Sequence, residues 1–168
     1  DEVAEMVGAA RKRQLLLMES FQWRFHSQTQ TAKDIMDSGQ LGDIRCFRAS
    51  FGFPPFPDRE NIRYQKALGG GALLDAGAYT LKATTEFLGS DVTVCAATLR
   101  MDRELGLDLG GGVFLERTDG VVAETAFGFD NFYQCQYEIW GSKGKLTVKR
   151  AFTAPPGFGP EIVLETTA

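Results

Sequence analysis

The apolar pattern of the chain changes character at Gly89, and that change leaves few architectures open. Before Gly89, apolar residues recur at helical spacing. After it, the segments 92–101, 112–117, 121–129, 134–140, 145–150 and 161–165 are short, rich in β-branched and aromatic residues, and separated by turn residues. Asp119-Gly120 and Gly141-Ser142-Lys143-Gly144 are the clearest hairpin signals, because glycine supplies the positive φ of tight turns. The second half therefore reads as an antiparallel meander. Helices early and strands late predict an α+β domain, an open and mainly antiparallel β-sheet with helices on one face.

The first half is less uniform. Residues 1–13 place Val3, Met6, Val7 and Ala10 on one helical face, acidic residues first and Arg11, Lys12 and Arg13 last, as the helix dipole favours. The run 15–19 is apolar without alternation, like a strand covered on both faces. A helix and buried strand at 1–20 suggest the tail of an α/β unit whose other strands lie outside this sequence. Residues 21–168 then form the remaining domain. A helix is expected from Ser27, its N-cap, to Gly39, followed by a strand over 43–53 that Pro54, Pro55 and Pro57 stop. A loop runs to about Leu68. Gly69, Gly70 and Gly71 open a third helix with Leu74, Ala78, Leu81 and Leu88 as its core stripe.

Composition removes several function classes. Eighteen basic and 22 acidic residues leave a net charge of -4, with no basic run to follow a nucleic acid backbone. No apolar run approaches the roughly 20 residues of a membrane span, and no signal peptide opens the chain, which suggests a cytoplasmic protein. The three cysteines, Cys46, Cys95 and Cys135, are too dispersed for a metal knuckle and read as buried thiols. His26, the single histidine, argues against two-histidine metal motifs.

Chemistry concentrates in two places. In the run from Gly69 to Tyr79, Asp75 and Tyr79 lie four residues apart and share a helix face, with Lys82 and Glu86 further along it. A phenol can donate a proton when a cation or hydrogen-bonding partner stabilises its phenolate, and a neighbouring carboxylate can orient it or bind a substrate hydroxyl. The competing reading is a tyrosine at the core edge and a solvated first-turn acid. The second cluster, 19–26, gathers Glu19, Arg24, His26 and three aromatics between strand and helix, where Arg24 can clamp phosphate and His26 can shuttle protons. A packed histidine satisfied by a backbone carbonyl is the alternative. Arg63 and Tyr64 offer a further charge and ring; the three glycines permit close ligand approach or simply tight packing. Gly110-Gly111-Gly112 lacks a following helix and reads as a bulge or tight hairpin, not a phosphate loop.

Three runs, 38–44 (SGQLGDI), 69–79 (GGGALLDAGAY) and 139–146 (IWGSKGKL), resemble in order and spacing the C-terminal part of the glucose-fructose oxidoreductase, inositol dehydrogenase and MocA family. Met18-Glu19 with Arg24-Phe25-His26, Asn61-Ile62-Arg63-Tyr64 and Ala151-Phe152-Thr153 resemble its nucleotide-sugar 3-ketoreductases. The resemblance implies reduction of a sugar ketone with NADP or NAD, with Tyr79 as proton donor, Asp75 beside it, and Arg24, His26, Arg63 and Tyr64 against the substrate. It further implies Glu19, Gly70 and Gly71 near the cofactor, a lysine and a glycine-rich fingerprint outside this sequence, and a homo-oligomer paired through the sheet face. A dihydrodiol or free-sugar dehydrogenase of the same family, and a non-catalytic assembly domain, are the other readings.

Overall fold

A computed structural model describes residues 2–159 and 161–167. Three α-helices, α1 (Glu2–Lys12), α2 (Ser27–Asp37) and α3 (Ala78–Leu88), accompany seven strands: β1 (Ile44–Gly52), β2 (Val92–Asp102), β3 (Leu107–Arg117), β4 (Val122–Gly128), β5 (Gln134–Gly141), β6 (Gly144–Lys149) and β7 (Ile162–Thr166). They form one sheet in the order β2-β3-β4-β1-β5-β6-β7. The meander is interrupted: β1 lies between β4 and β5, parallel to β4 and antiparallel to β5. Local pattern could not reveal this insertion, because β1 precedes α3 and the hairpin β2–β3 and so reaches its parallel neighbour by a crossover.

Alternation along the central strands sets the core. Phe47, Ala49 and Phe51 of β1 and Cys135, Tyr137 and Ile139 of β5 are buried with the helices, while Arg48 and Glu124 pair at 2.9 Å on the open face. Phe47 stacks on Phe87 of α3 and on Tyr137, and Phe152 closes the cluster against Trp23 and Phe51. On α3 the buried line is Thr80, Ala83, Thr84, Phe87 and Leu88; Thr80 and Thr84 satisfy their hydroxyls on the helix carbonyls of Gly77 and Thr80.

Several local expectations need correction. Residues 15–19 form no strand, and Leu15, Leu16, Leu17 and Met18 are exposed, because no described strand lies alongside to complete a ladder. Helix α1 likewise buries no residue. The N-cap of α2 is His26, whose Nδ1 accepts from the Gln28 amide at 3.2 Å, one residue before the expected Ser27. Glycines 110–112 continue β3 and make no hairpin; of the two readings the bulge fits, since the β2–β3 ladder shifts register between Arg100 and Met101, opposite Gly110 and Asp108. Gly120 does take positive φ, but Gly141 does not; its missing side chain makes room for the backbone of Leu41. Cys95 is exposed, on the sheet's edge strand.

Candidate active site

The site is built around an irregular start to α3. Gly69 (φ +75°) and Gly71 (φ +120°) reverse the chain in conformations that side-chain-bearing residues rarely adopt. A single π-helical turn, Leu73–Gly77, follows, closed by the Gly77 amide on the Ala72 carbonyl at 2.8 Å. This wider turn departs from the regular helix that the core stripe assumed. Leu74, expected in the core, is 68% exposed, and the buried positions are Gly71, Ala72, Ala76 and Gly77.

Asp108 on β3 fixes this turn. Its carbonyl accepts from Ala72 N at 2.9 Å, and its carboxylate Oδ2 accepts from Leu73 N at 2.6 Å. No sequence motif announced this residue, because it caps a turn 35 residues earlier. The neighbouring amides are also committed, Gly70 N to Gln65 O and Gly71 N to Arg63 O, each at 3.0 Å. The glycine-rich turn therefore has no spare N–H with which to hold a phosphate.

Asp75 and Tyr79 open onto a common cavity of about 270 Å³. Its aromatic walls are Phe51, Phe53 and Phe56, and its other polar members are Arg63, Tyr133 and Thr153. Asp75 Oδ2 is ion-paired with Arg63 Nε, and Arg63 also lies 4.9 Å from the Phe56 ring centroid. Oδ1 of Asp75 has no hydrogen-bond partner among the described residues and remains available to a ligand. The Tyr79 ring packs edge-on against Phe21 and Phe51, at 5.3 and 5.2 Å between centroids; among the described residues its hydroxyl has only Gln22 Oε1, at 3.5 Å. The phenol oxygen is thus positioned by its ring and left weakly engaged at its tip.

Tyr133, which the sequence did not single out, and Thr153, noted there only within the run 151–153, complete the cavity. Their hydroxyls are 2.8 Å apart, and burial raises the pKa of the Tyr133 phenol above its ordinary value, although the Thr153 hydrogen bond opposes that shift. Of the two phenols, Tyr133 is the one already engaged by a full hydrogen bond.

The remaining expected residues are placed elsewhere. Arg24 Nε is bound to Glu86 Oε2 at 2.7 Å, and Lys33 Nζ to Oε1 at 2.5 Å, so Arg24 is held in an ion-pair cluster. Tyr64 is buried, with its hydroxyl accepting from Phe56 N at 3.0 Å; it supports the loop carrying Arg63. His26 caps α2 and lines a separate cavity of about 70 Å³ that shares Thr153 with the main one. Glu19 is exposed in the irregular segment before the Gln22–Phe25 turn.

These amide commitments leave the glycine turn with nothing to offer a phosphate, whereas the phenol tip stays open to a ligand.

Comparison with known proteins points to one family. Residues 29–147 match the model of the GFO/IDH/MocA C-terminal domain. The chain is 42% identical over 164 residues to the dTDP-3,4-didehydro-2,6-dideoxy-alpha-D-glucose 3-reductase of Saccharopolyspora spinosa, covering 98% of this chain and 49% of that protein. It is 30% identical over 166 residues to D-xylose 1-dehydrogenase (NADP(+)) 2 of Haloferax volcanii, covering 99% and 50%. The crystal structure of KijD10, a 3-ketoreductase from Actinomadura kijaniata, in complex with NADP and TDP-benzene superimposes with a TM-score of 0.92 at 41% identity, over 97% of this chain and 50% of that one. The chain spans about half the length of each of these relatives.

Proposed function

The chain belongs to the GFO/IDH/MocA C-terminal domain family, and from that premise we propose that it is the substrate-binding domain of an NADP-dependent oxidoreductase that reduces a keto group on a nucleotide-linked sugar. The observation that carries this reading is the cavity shared by Asp75 and Tyr79, with a phenol hydroxyl weakly engaged at its edge. A non-catalytic assembly domain would bury both groups under apolar side chains. Residues 1–20 would then belong to a dinucleotide-binding unit, whose sheet would cover Leu15, Leu16, Leu17 and Met18.

A dinucleotide, when bound by the other half, would supply the hydride for the ketone carbon. The residues of this chain do the rest. Phe51, Phe53 and Phe56 present apolar faces to the C–H surfaces of a sugar ring and exclude water from the cavity. Arg63 fixes one oxygen of Asp75, so the other can accept a hydrogen bond from a substrate hydroxyl and hold the carbonyl near Tyr79. The Tyr79 hydroxyl gives its proton to the carbonyl oxygen as that oxygen gains charge, which yields the alcohol. The resulting phenolate needs a cation, and the family resemblance assigns that part to a lysine of the dinucleotide-binding half.

A second copy of the chain is proposed to cover the open sheet face around the Arg48–Glu124 pair. The relatives acting on free sugars support a second reading of the substrate as an unlinked aldose. The deciding experiment assays the protein that joins this chain to its dinucleotide-binding half, with NADPH and a panel of TDP-linked keto sugars, free keto sugars and free aldoses with NADP. Turnover confined to the TDP-linked ketones is expected; preference for free aldoses would overturn the assignment.

A further inference from the structure

Tyr133 separates the cavity of Asp75 and Tyr79 from a second one of about 200 Å³, lined by Gln134, Gln136, Lys149, Arg150, Phe158 and Glu161. Three cations border the pair of cavities. Arg63 is committed to Asp75, and Lys149 Nζ to Glu161 Oε1 at 2.5 Å. Arg150 has no carboxylate within ion-pairing distance among the described residues. Its guanidinium lies 4.3 Å from the Tyr133 ring centroid and 5.9 Å from that of Phe158. A guanidinium held this way, with one edge toward the Tyr133 hydroxyl, keeps its remaining N–H groups for an anion. Glu161 does not oppose an anion strongly, because its charge is already matched by Lys149.

We propose that Arg150 marks a subsite for the diphosphate of a nucleotide-linked sugar whose sugar ring lies across Tyr133, against Asp75 and Tyr79. The inference rests on the proposed function only for the position of the sugar ring. Gln134 and Gln136 add neutral amide donors beside the charge, and Phe158, 36% exposed, offers a ring face at the rim. The Tyr133 hydroxyl is anchored on Thr153, so the ring that divides the cavities is fixed before ligand arrives. Arg63 and Lys149 already have their charge matched by a carboxylate, so Arg150 is the cation whose charge an anion would match.

The test measures binding of dTDP, inorganic pyrophosphate and thymidine to the 168-residue chain by calorimetry, for wild type, Arg150→Gln and Arg150→Lys. dTDP and pyrophosphate are expected to bind, with thymidine much weaker; Arg150→Gln should weaken both phosphate ligands by about tenfold or more, as loss of a charge-assisted hydrogen bond does. Arg150→Lys should fall between, and thermal unfolding should show both variants folded. Unchanged dTDP affinity in folded Arg150→Gln overturns the subsite, as does thymidine binding as tightly as dTDP, or pyrophosphate binding without dTDP. None of these readouts depends on turnover. A failure here with Tyr79-dependent ketone reduction intact removes the subsite and leaves the proposed function standing.

Discussion

Replacing Glu86 with glutamine tests whether the carboxylate at the junction of α2, α3 and the Gln22–Phe25 turn is held by charge. Glu86 is 10% exposed and faces Lys33 at 2.5 Å, Arg24 at 2.7 Å and Lys82 at 3.9 Å, each about one-third exposed. Burial pushes its pKa up, but the hydrogen bonds and charges of Lys33 and Arg24 outweigh burial and hold the carboxyl below its ordinary value. Glu86→Gln keeps the shape and leaves three cations facing one another. A fully buried pair broken on one side costs about 3–5 kcal/mol and an exposed pair under about 1; solvent screening of the three cations places this loss near 2 kcal/mol. For a domain of this size that lowers Tm by roughly 4–8 °C at pH 7. A depressed carboxylate pKa stabilises above the unfolded value of about 4.3, and that stability is lost as pH falls through the folded pKa. Thermal unfolding followed by circular dichroism should therefore show wild type and variant converging as the solution is acidified. A Tm difference below about 1 °C at neutral pH, or a gap that persists after Glu86 is protonated, would refute the charge-based account.

Two further predictions concern the core and the turn. Gly71→Ala places a methyl group at φ +120° against the Asp108 carboxylate, and chemical denaturation should register a loss of about 1–3 kcal/mol; a neutral result would mean that the turn is not fixed as described. The Tyr137 hydroxyl is buried with no hydrogen-bond partner among the described residues, and burial drives the pKa of its phenol strongly upward. Tyr137→Phe should then be neutral or stabilising by up to about 1 kcal/mol, and a loss larger than that would reveal a partner for the hydroxyl.

The strands after Gly89 and the helices α2 and α3 were legible because each depends on neighbours a few residues apart. Asp119-Gly120 is an example, with Gly120 at φ +87° and Val121 N donating to Asp119 Oδ1. Features requiring distant partners were not legible. The parallel pairing of β1 with β4, the Asp108 cap on the Gly71 turn, and the contribution of Tyr133 and Thr153 to the cavity all join residues far apart in sequence. The i, i+4 spacing correctly suggested that Asp75 and Tyr79 would meet, but not that a π-helical turn would carry Leu74 into solvent. The partner of Arg24 was not legible for a physical reason: an arginine among aromatics has the same local signature whether or not it pairs with a glutamate 62 residues away.

Steady-state kinetics of Tyr79→Phe, in the protein that carries this chain with its dinucleotide-binding half, test the central claim most directly. Removing one hydroxyl leaves the ring packed against Phe21 and Phe51 and takes away only the proton. Ketone reduction should fall by about 10²-fold or more while NADPH affinity stays within about twofold; turnover equal to wild type would show that the proton comes from another group.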